Sequence, residues 1–465
     1  MEFSTAHVIG MALAFLLIFG VSIYSGRKVK TAADFDAGGG KAGVIMTSGA
    51  IMGTLIGGSS TVGTAQLAFT YGFSAWWFTL GGGIACLLLA IFYVGPLRRS
   101  GKATLVGIIS SEYGKKVGLA ASVLSSVGTF INIISQLISA TAIIAIIFPS
   151  ISPLISLLIA MTMMAMYVMF GGVLGAGMVG VVKSLLLCLS LLAGGILVLS
   201  QMHGFGTIYA SLDHATYFNL FARGVGKDGG AGLSLILGVL STQSYAQALI
   251  AGKTDRVARQ GALISAILMP VMGIGGLLIG LYMRLNCPEL ASAKMAFPQF
   301  VMEQMPPLLA GIVLATLLIT VVGTGAGLSL GISTVVSNDI VRKYCKRYED
   351  PVRRLHFSRL LIVVVLFLAV LMCEGPIGDM ILSFAFMSMG LRGAVLLAPL
   401  CCALWMKGKV SSKWVLASVI VSPTVVLIFG ILDCLPFDPL FLGVALALVL
   451  CGIGRMRGPD AGKRE

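Results

Sequence analysis

Long apolar stretches, separated by short polar segments, make up most of this chain. A helix that crosses a bilayer needs roughly 20 apolar residues, and thirteen stretches are candidates. They cover residues 6–26, 44–70, 74–94, 119–148, 151–170, 176–202, 231–251, 262–283, 307–338, 360–373, 377–404, 412–432 and 437–454. The pattern predicts an all-α, polytopic membrane protein with about 13 transmembrane helices. The first stretch lacks a basic leader and a small-residue cleavage site, so we interpret it as a membrane helix rather than a signal peptide.

Composition and charge placement support this prediction. The 465 residues are 57% hydrophobic and only 11% charged, a balance that excludes a soluble globular domain. With the N-terminus outside, 26 of the 32 Lys and Arg residues fall in the predicted inner segments and four in the outer ones. The positive-inside rule therefore predicts an N-out, C-in topology. The net charge of +14 then faces anionic lipid, and no nucleic-acid partner is expected.

The remaining polar chemistry argues against an enzyme. The nine cysteines lie mostly inside spans without metal-ligand spacing, and the four histidines are scattered. We therefore expect no catalytic residues, no cofactor apart from a coupling ion and no obligatory protein partner. A single transmembrane domain is expected over residues 1–455, with a short cytoplasmic tail over 456–465.

Two spans contain an interruption near mid-depth. Gly57, Gly58, Ser59, Ser60 and Thr61 follow one another in the second span, and the seventh span contains the polar cluster 241–244. Glycines loosen a helix, and short hydroxyl side chains compete for its backbone hydrogen bonds. Loosened backbone at membrane depth is typical of a transporter binding site, whereas small residues also allow close helix packing.

Polar residues also form stripes along single helix faces, because they recur at steps of three or four. One stripe comprises Ser125, Thr129, Asn132, Gln136 and Ser139, and the other comprises Thr316, Thr320, Thr324, Gly327 and Gly331. Such a stripe either lines a wet cavity or bonds helix to helix. Two cations, Lys183 and Arg392, lie inside predicted spans. Arg392 suits either an organic carboxylate or a bond that anchors unwound backbone.

Seven motifs, in order along the chain, resemble the sodium:solute symporter family. They are ADFDAGGG at 33–40, TLIGGSSTVGTAQLAFTYGFSAWW at 54–77, GPLRRSGKATLVGIISSEYG at 95–114, YVMFGGVLGAGMVGVVK at 167–183, QALIAGKTDRVARQGAL at 247–263, PPLLAGIVLATLLITVVGTGAG at 306–327 and SNDI at 337–340. The resemblance implies a leucine-transporter-type fold, with a five-plus-five inverted-repeat core over about 44–404. One extra helix, 6–26, would precede this core, and two helices, 412–454, would follow it. The first helix of each half would be discontinuous.

The resemblance also implies a sodium site between the first and eighth core helices. Its ligands would be the carbonyls of Gly53, Ile56 and Thr320 and the hydroxyl of Thr324. Two departures from the family pattern weaken that site. A hydroxyl is lost at Gly323, and the fifth core helix carries Gly180 and Lys183 where the family places an aspartate and a glutamine.

Lys183 suggests an alternative to sodium. Its ammonium group would occupy or flank the site, donating to the Gly53 and Ile56 carbonyls and to Thr324, and could carry a coupling proton. Otherwise the side chain would extend to the inner membrane interface.

Together these patterns predict a secondary active transporter of the inner (plasma) membrane. The expected solute is a small organic anion or an amino acid, because the half-helix dipole and its free amides favour an anionic group. The expected solute-binding residues are Gly57, Gly58, Ser59, Ser60, Asn132, Gln136, Ser241 and Gln243. Coupling to sodium is expected from the family. Proton-coupled or sodium-independent transport, a channel and a membrane solute sensor that does not transport are the alternatives.

Overall fold

A computed structural model describes residues 3–26, 42–102, 104–171, 175–341, 351–373, 381–432 and 434–458. The motif at 33–40 and most of the predicted tail lie outside the described residues. The first half of the described chain contains the helices α1 (Thr5–Gly26), α2 (Val44–Leu55), α3 (Thr64–Tyr71), α4 (Trp77–Leu88), α5 (Val94–Arg99), α6 (Leu105–Tyr113), α7 (Lys115–Ile147), α8 (Pro153–Gly171), α9 (Gly175–Gln201), α10 (Phe205–Ser211) and α11 (His214–Tyr217). The second half contains α12 (Val225–Leu240), α13 (Gln243–Ala251), α14 (Asp255–Asn286), α15 (Ala296–Gln304), α16 (Pro307–Val335), α17 (Pro351–Cys373), α18 (Ile381–Trp405), α19 (Ser412–Leu432) and α20 (Leu440–Met456).

Each predicted span overlaps one or more of these helices. Among the described residues, eight helical stretches are long and apolar enough to cross a membrane, or nine if the bent pair α12–α13 forms one span, and four shorter apolar helices accompany them. One of the eight, Ser59–Arg99, turns at Gly72, whose φ of +57° favours glycine. The count of thirteen crossings and the N-out orientation stay predictions.

Small residues let the helices at the centre approach closely. A Cβ atom at Gly53 of α2 would lie 2.7 Å from the Cα atom of Gly180 in α9. The long helix α7 packs against α16 and α18, and α18 also packs against α12. Because lipid does not drive apolar helices together, such close contacts are a main source of stability within a membrane. They place the two interrupted helices in the protein interior.

Helix α12 begins six residues before its predicted span and therefore includes Asp228, which is fully buried. Its carboxylate forms an ion pair with Arg223 at 2.6 Å and accepts a hydrogen bond of 2.6 Å from the Ser74 hydroxyl. Trp77 Nε1 donates to the Leu220 carbonyl at 2.8 Å. These contacts fasten the segment 203–230 over the turn between α3 and α4, on the predicted outer side.

Candidate functional site

The second predicted span is broken, as expected, but slightly earlier than expected. Helix α2 ends at Leu55, and Ile56 is extended with φ −85° and ψ 112°. The chain resumes as a π-helical turn over Ser59–Gly63. The unwound residues are therefore Ile56, Gly57 and Gly58, whereas the three hydroxyl residues lie in the wound part. The prediction that the break spans the hydroxyls is wrong in this detail.

The peptide groups at this break already have partners. The amide of Gly57 donates to Ser60 Oγ at 3.0 Å, and that of Gly58 donates to Gln136 Oε1 at 2.9 Å. The expectation of free amides that attract an anion is therefore wrong for both glycines. An anionic solute would have to displace Gln136 or bind through side chains.

The polar stripe of α7 divides into two parts. Ser125 and Thr129 each donate to a carbonyl of their own helix. Further along, Gln136 donates to Asn132 Oδ1 at 3.3 Å and lies 3.4 Å from Ser59 Oγ. Asn132 and Gln136 are buried. The structure therefore brings Gly58, Ser59, Asn132 and Gln136 together.

The second break separates α12 from α13, which meet at an angle of 47°. Ser241 and Thr242 occupy it. The Ser241 hydroxyl is buried and has no hydrogen-bond partner among the described residues. Gln243 differs, because its Oε1 accepts a hydrogen bond of 2.7 Å from the Leu105 amide at the start of α6. This bond joins the start of α13 to the start of α6.

The predicted ion-site residues meet beside the first break. Thr324 Oγ1 lies 2.9 Å from the Thr320 carbonyl oxygen and 3.4 Å from that of Ile56. The Lys183 ammonium donates to Thr324 Oγ1 at 3.4 Å. No described hydrogen bond joins Lys183 to the Gly53 or Ile56 carbonyl, so the expected direct donation is replaced by one through Thr324. Only 6% of Lys183 is exposed, which argues against extension to the interface.

Arg392 lies at the second break and is 3% exposed. Its guanidinium donates to Thr242 Oγ1 at 2.9 Å, to the Ser388 carbonyl at 3.2 Å and to the Ser388 hydroxyl at 3.0 Å. The Ser388 hydroxyl in turn donates to the Gly128 carbonyl of α7 at 2.6 Å. These contacts join Arg392 to the Thr242 side chain at the break and to Ser388 of its own helix, and none of them is with unwound backbone.

Two polar residues of the site were not singled out from the sequence. Ser135 shares a hydrogen bond of 2.8 Å with Ser59, and Ser388 contacts Arg392, as does Thr242 of the predicted polar cluster 241–244. Ser388 precedes Arg392 by four residues, a helical spacing that places both on one face. Ser135 has a similar signal, because it precedes Ser139 of the predicted stripe by four residues and follows Asn132 by three.

Comparisons with known proteins agree with this architecture. The structure of a Na+-coupled sialic acid symporter in a substrate-bound, outward-open state superposes with a TM-score of 0.78 at 17% identity, covering 98% of this chain and 97% of that one. A closed structure of Mhp1, a nucleobase-cation-symport-1 family transporter, gives a TM-score of 0.59 at 12% identity and covers 90% of this chain and 92% of that one. At these identities the likeness shows the fold alone, and it confirms the all-α, leucine-transporter-type architecture.

Sequence comparison identifies the family. An uncharacterized symporter of Bacillus subtilis (strain 168), YwcA, is 31% identical over 213 residues, and this alignment covers 44% of the present chain and 41% of YwcA. The chain thus spans less than half of YwcA's length in that alignment. The model of the sodium:solute symporter family matches residues 35–421. Because this match covers most of the chain, the protein belongs to the sodium:solute symporter family.

Proposed function

We propose that this protein is a secondary active symporter that moves a small organic anion or amino acid by alternating access. Residues 1–455 would form its one transporter domain in the inner membrane, with the N-terminus outside. The observation that carries the proposal is the break in α2. It frees the Ile56 carbonyl beside Thr324 and Thr320, and a broken helix inside a bilayer is tolerated where it lines a binding cavity.

The coupling cation would bind at this first break. The proposed ligands are the carbonyls of Gly53, Ile56 and Thr320 and the hydroxyl of Thr324, since hard cations prefer oxygen ligands. Family membership favours sodium as the cation. Solute and cation must each bind more tightly when the other is bound, because coupling is reciprocal.

The solute would bind between the two breaks. Gly57, Gly58, Ser59, Ser60, Asn132 and Gln136 would form one wall. Ser241, whose buried hydroxyl lacks a partner among the described residues, would contribute from the other. Lys183 and Arg392 make this interior electropositive, which favours a carboxylate over a sugar. Gln243 would belong to the same wall as Ser241, although its Oε1 also accepts a hydrogen bond from the Leu105 amide.

A second candidate mechanism follows from Lys183. Its ammonium donates to Thr324, a hydroxyl that the sodium ion would also need. Lys183 would then replace sodium, and transport would be coupled to protons or to no ion.

Uptake into proteoliposomes distinguishes these mechanisms. Labelled acetate, lactate, proline and glucose would be offered under a sodium gradient, a proton gradient or neither. Thr324→Val should reduce gradient-driven uptake at least tenfold, whereas Thr316→Val should not, because the Thr316 hydroxyl bonds only the Ile312 carbonyl of its own helix. Sodium-driven uptake that is unchanged in Lys183→Ala would exclude the second mechanism, and proton-driven uptake lost in Lys183→Ala would support it. Saturable binding without uptake would favour a sensor instead.

A further inference from the structure

The two helix breaks carry the same kind of polar relay. At the first break, the Lys183 ammonium donates to the Thr324 hydroxyl, which lies beside the Ile56 carbonyl. At the second break, the Arg392 guanidinium donates to the Thr242 hydroxyl, which donates to the Gly238 carbonyl at 2.6 Å. In each relay a buried cation reaches the carbonyl end of a half-helix through a threonine.

The elements that supply these groups correspond between the two repeats. Lys183 lies on α9, the fifth core helix, and Arg392 lies on α18, the tenth. The first relay joins α9 to the break in the first core helix and to α16, the eighth. The second joins α18 to the break in the sixth core helix and, through the Ser388 hydroxyl and the Gly128 carbonyl, to α7, the third. The inverted repeat exchanges the fifth helix with the tenth, the first with the sixth and the eighth with the third.

The carbonyl ends of the half-helices explain why a cation lies at each break. The last carbonyls of a helix lack partners within the helix, and the helix dipole makes that end negative. α2 and α12 both end at a break inside the protein. Besides the Met389 sulfur, the guanidinium of Arg392 contacts neutral oxygens: those of Thr242 and Ser388. No carboxylate of the described residues forms an ion pair with it. This is the chemistry of a site for a monovalent cation.

We infer that the second break is a cation-binding site whose permanent occupant is the guanidinium of Arg392. Arginine does not lose its proton in proteins, so the site stays filled throughout transport and exchanges no ion with solution. The first break is then the place where an exchangeable cation can bind. Arg392 acts as a positioning residue that holds the break, α18 and α7 together, and it does not need to touch the solute.

Chemical rescue tests this inference on the purified full-length protein in detergent. Arg392→Ala should lower the melting temperature, and millimolar guanidinium chloride, far below denaturing concentrations, should restore a substantial part of the loss. The native protein and Arg259→Ala should show no such recovery, because Arg259 is exposed and its Nε donates to the Ala90 carbonyl away from the break. Absence of rescue together with full stability of Arg392→Ala would overturn the inference.

Three further variants keep the test informative if Arg392→Ala does not fold. Arg392→Lys keeps a cation and should retain more stability than the neutral polar change Arg392→Gln. Thr242→Val removes the hydroxyl of the relay, and its effect should be strongly non-additive with that of Arg392→Gln, since the two residues act together. Equal stability of the Lys and Gln variants, or simple additivity, would contradict a cation site.

Ligand recognition by Arg392 would give a different result. Acetate, lactate and proline would then raise the melting temperature of the native protein more than their neutral amides do. Arg392→Gln would abolish that difference, and guanidinium would not restore it. That outcome would overturn the inference. The unfolding measurements need no transported solute, so their outcome does not depend on whether the proposed symport is correct.

Discussion

Gly58 shows at the scale of one residue why the first break can lie so close to α7. A Cβ atom at Gly58 would overlap the Ser139 side chain and lie 3.3 Å from Gln136 Oε1. The absence of a side chain thus lets Gln136 reach the Gly58 amide, a bond of 2.9 Å. The glycine therefore makes room for the α7 side chains at the break.

Gly58→Ala should destabilise the protein and weaken solute binding. Forcing a methyl group into a filled interior costs about 1–3 kcal/mol, and the added carbon would push Ser139 and Gln136 away from the break. The matched control is Gly327→Ala in α16, where nothing lies within 4 Å of an added Cβ. Alanine is favoured over glycine in a helix by about 1 kcal/mol, so this control should keep or raise the melting temperature. Equal losses in both variants would contradict the role of Gly58.

The residue scale is also where prediction from sequence was weakest. The stripe of α7 correctly marked Asn132 and Gln136 as neighbours of the break, because helical periodicity fixes which residues share a face. The bond from Lys183 to Thr324 was expected only through the family resemblance. The Leu105 partner of Gln243 was not predictable, since that bond joins residues 138 positions apart. Long-range contacts depend on packing angles that no local pattern encodes.

At the scale of elements, the breaks were predictable because glycine and hydroxyl residues are poor at continuing a helix.

The start of α2 and the end of α13 are tied together on the predicted inner side. The Ala42 amide donates to the Ala251 carbonyl and the Lys253 amide donates to the Ala42 carbonyl, both at 3.0 Å. Arg98 strengthens this junction, because its guanidinium donates to the carbonyls of Leu249, Ile250 and Gly252. These bonds close α2 and α13 against each other.

Arg98→Gln should loosen this inner junction. A hydrogen bond to a charged group contributes about 1.5–3 kcal/mol, so local opening should become on the order of tenfold more frequent. Hydrogen exchange of the amides of α13 and of residues 44–55 measures this opening. Arg99→Gln is the matched control, because Arg99 is exposed and makes none of these bonds. Unchanged exchange in Arg98→Gln would mean that the backbone bonds at Ala42 suffice.

At the scale of the whole molecule, the sequence predicted the all-α architecture well, because apolar length alone determines which segments can cross a bilayer. The same reliance on apolar length placed the start of this span at residue 231, six residues after the observed start of α12. Asp228 reads as a polar loop residue, yet its ion pair with Arg223 and its bond from Ser74 allow it to be buried within the helix. Tertiary pairing thus extends a helix beyond its apolar stretch.

Orientation depends on the whole chain, since it rests on how cations divide between the two sides. With the N-terminus outside, the segment between α19 and α20 faces outward, and its Cys434 is exposed. A membrane-impermeant maleimide should therefore label Cys434 in intact cells, and Cys434→Ser should remove that labelling. A cysteine at Lys409, between α18 and α19, should react only after permeabilisation. The reverse labelling pattern would mean that the chain has the opposite orientation. The junction at Arg98 would then lie on the outer face, and the closed ends of α2 and α13 would form the outer gate.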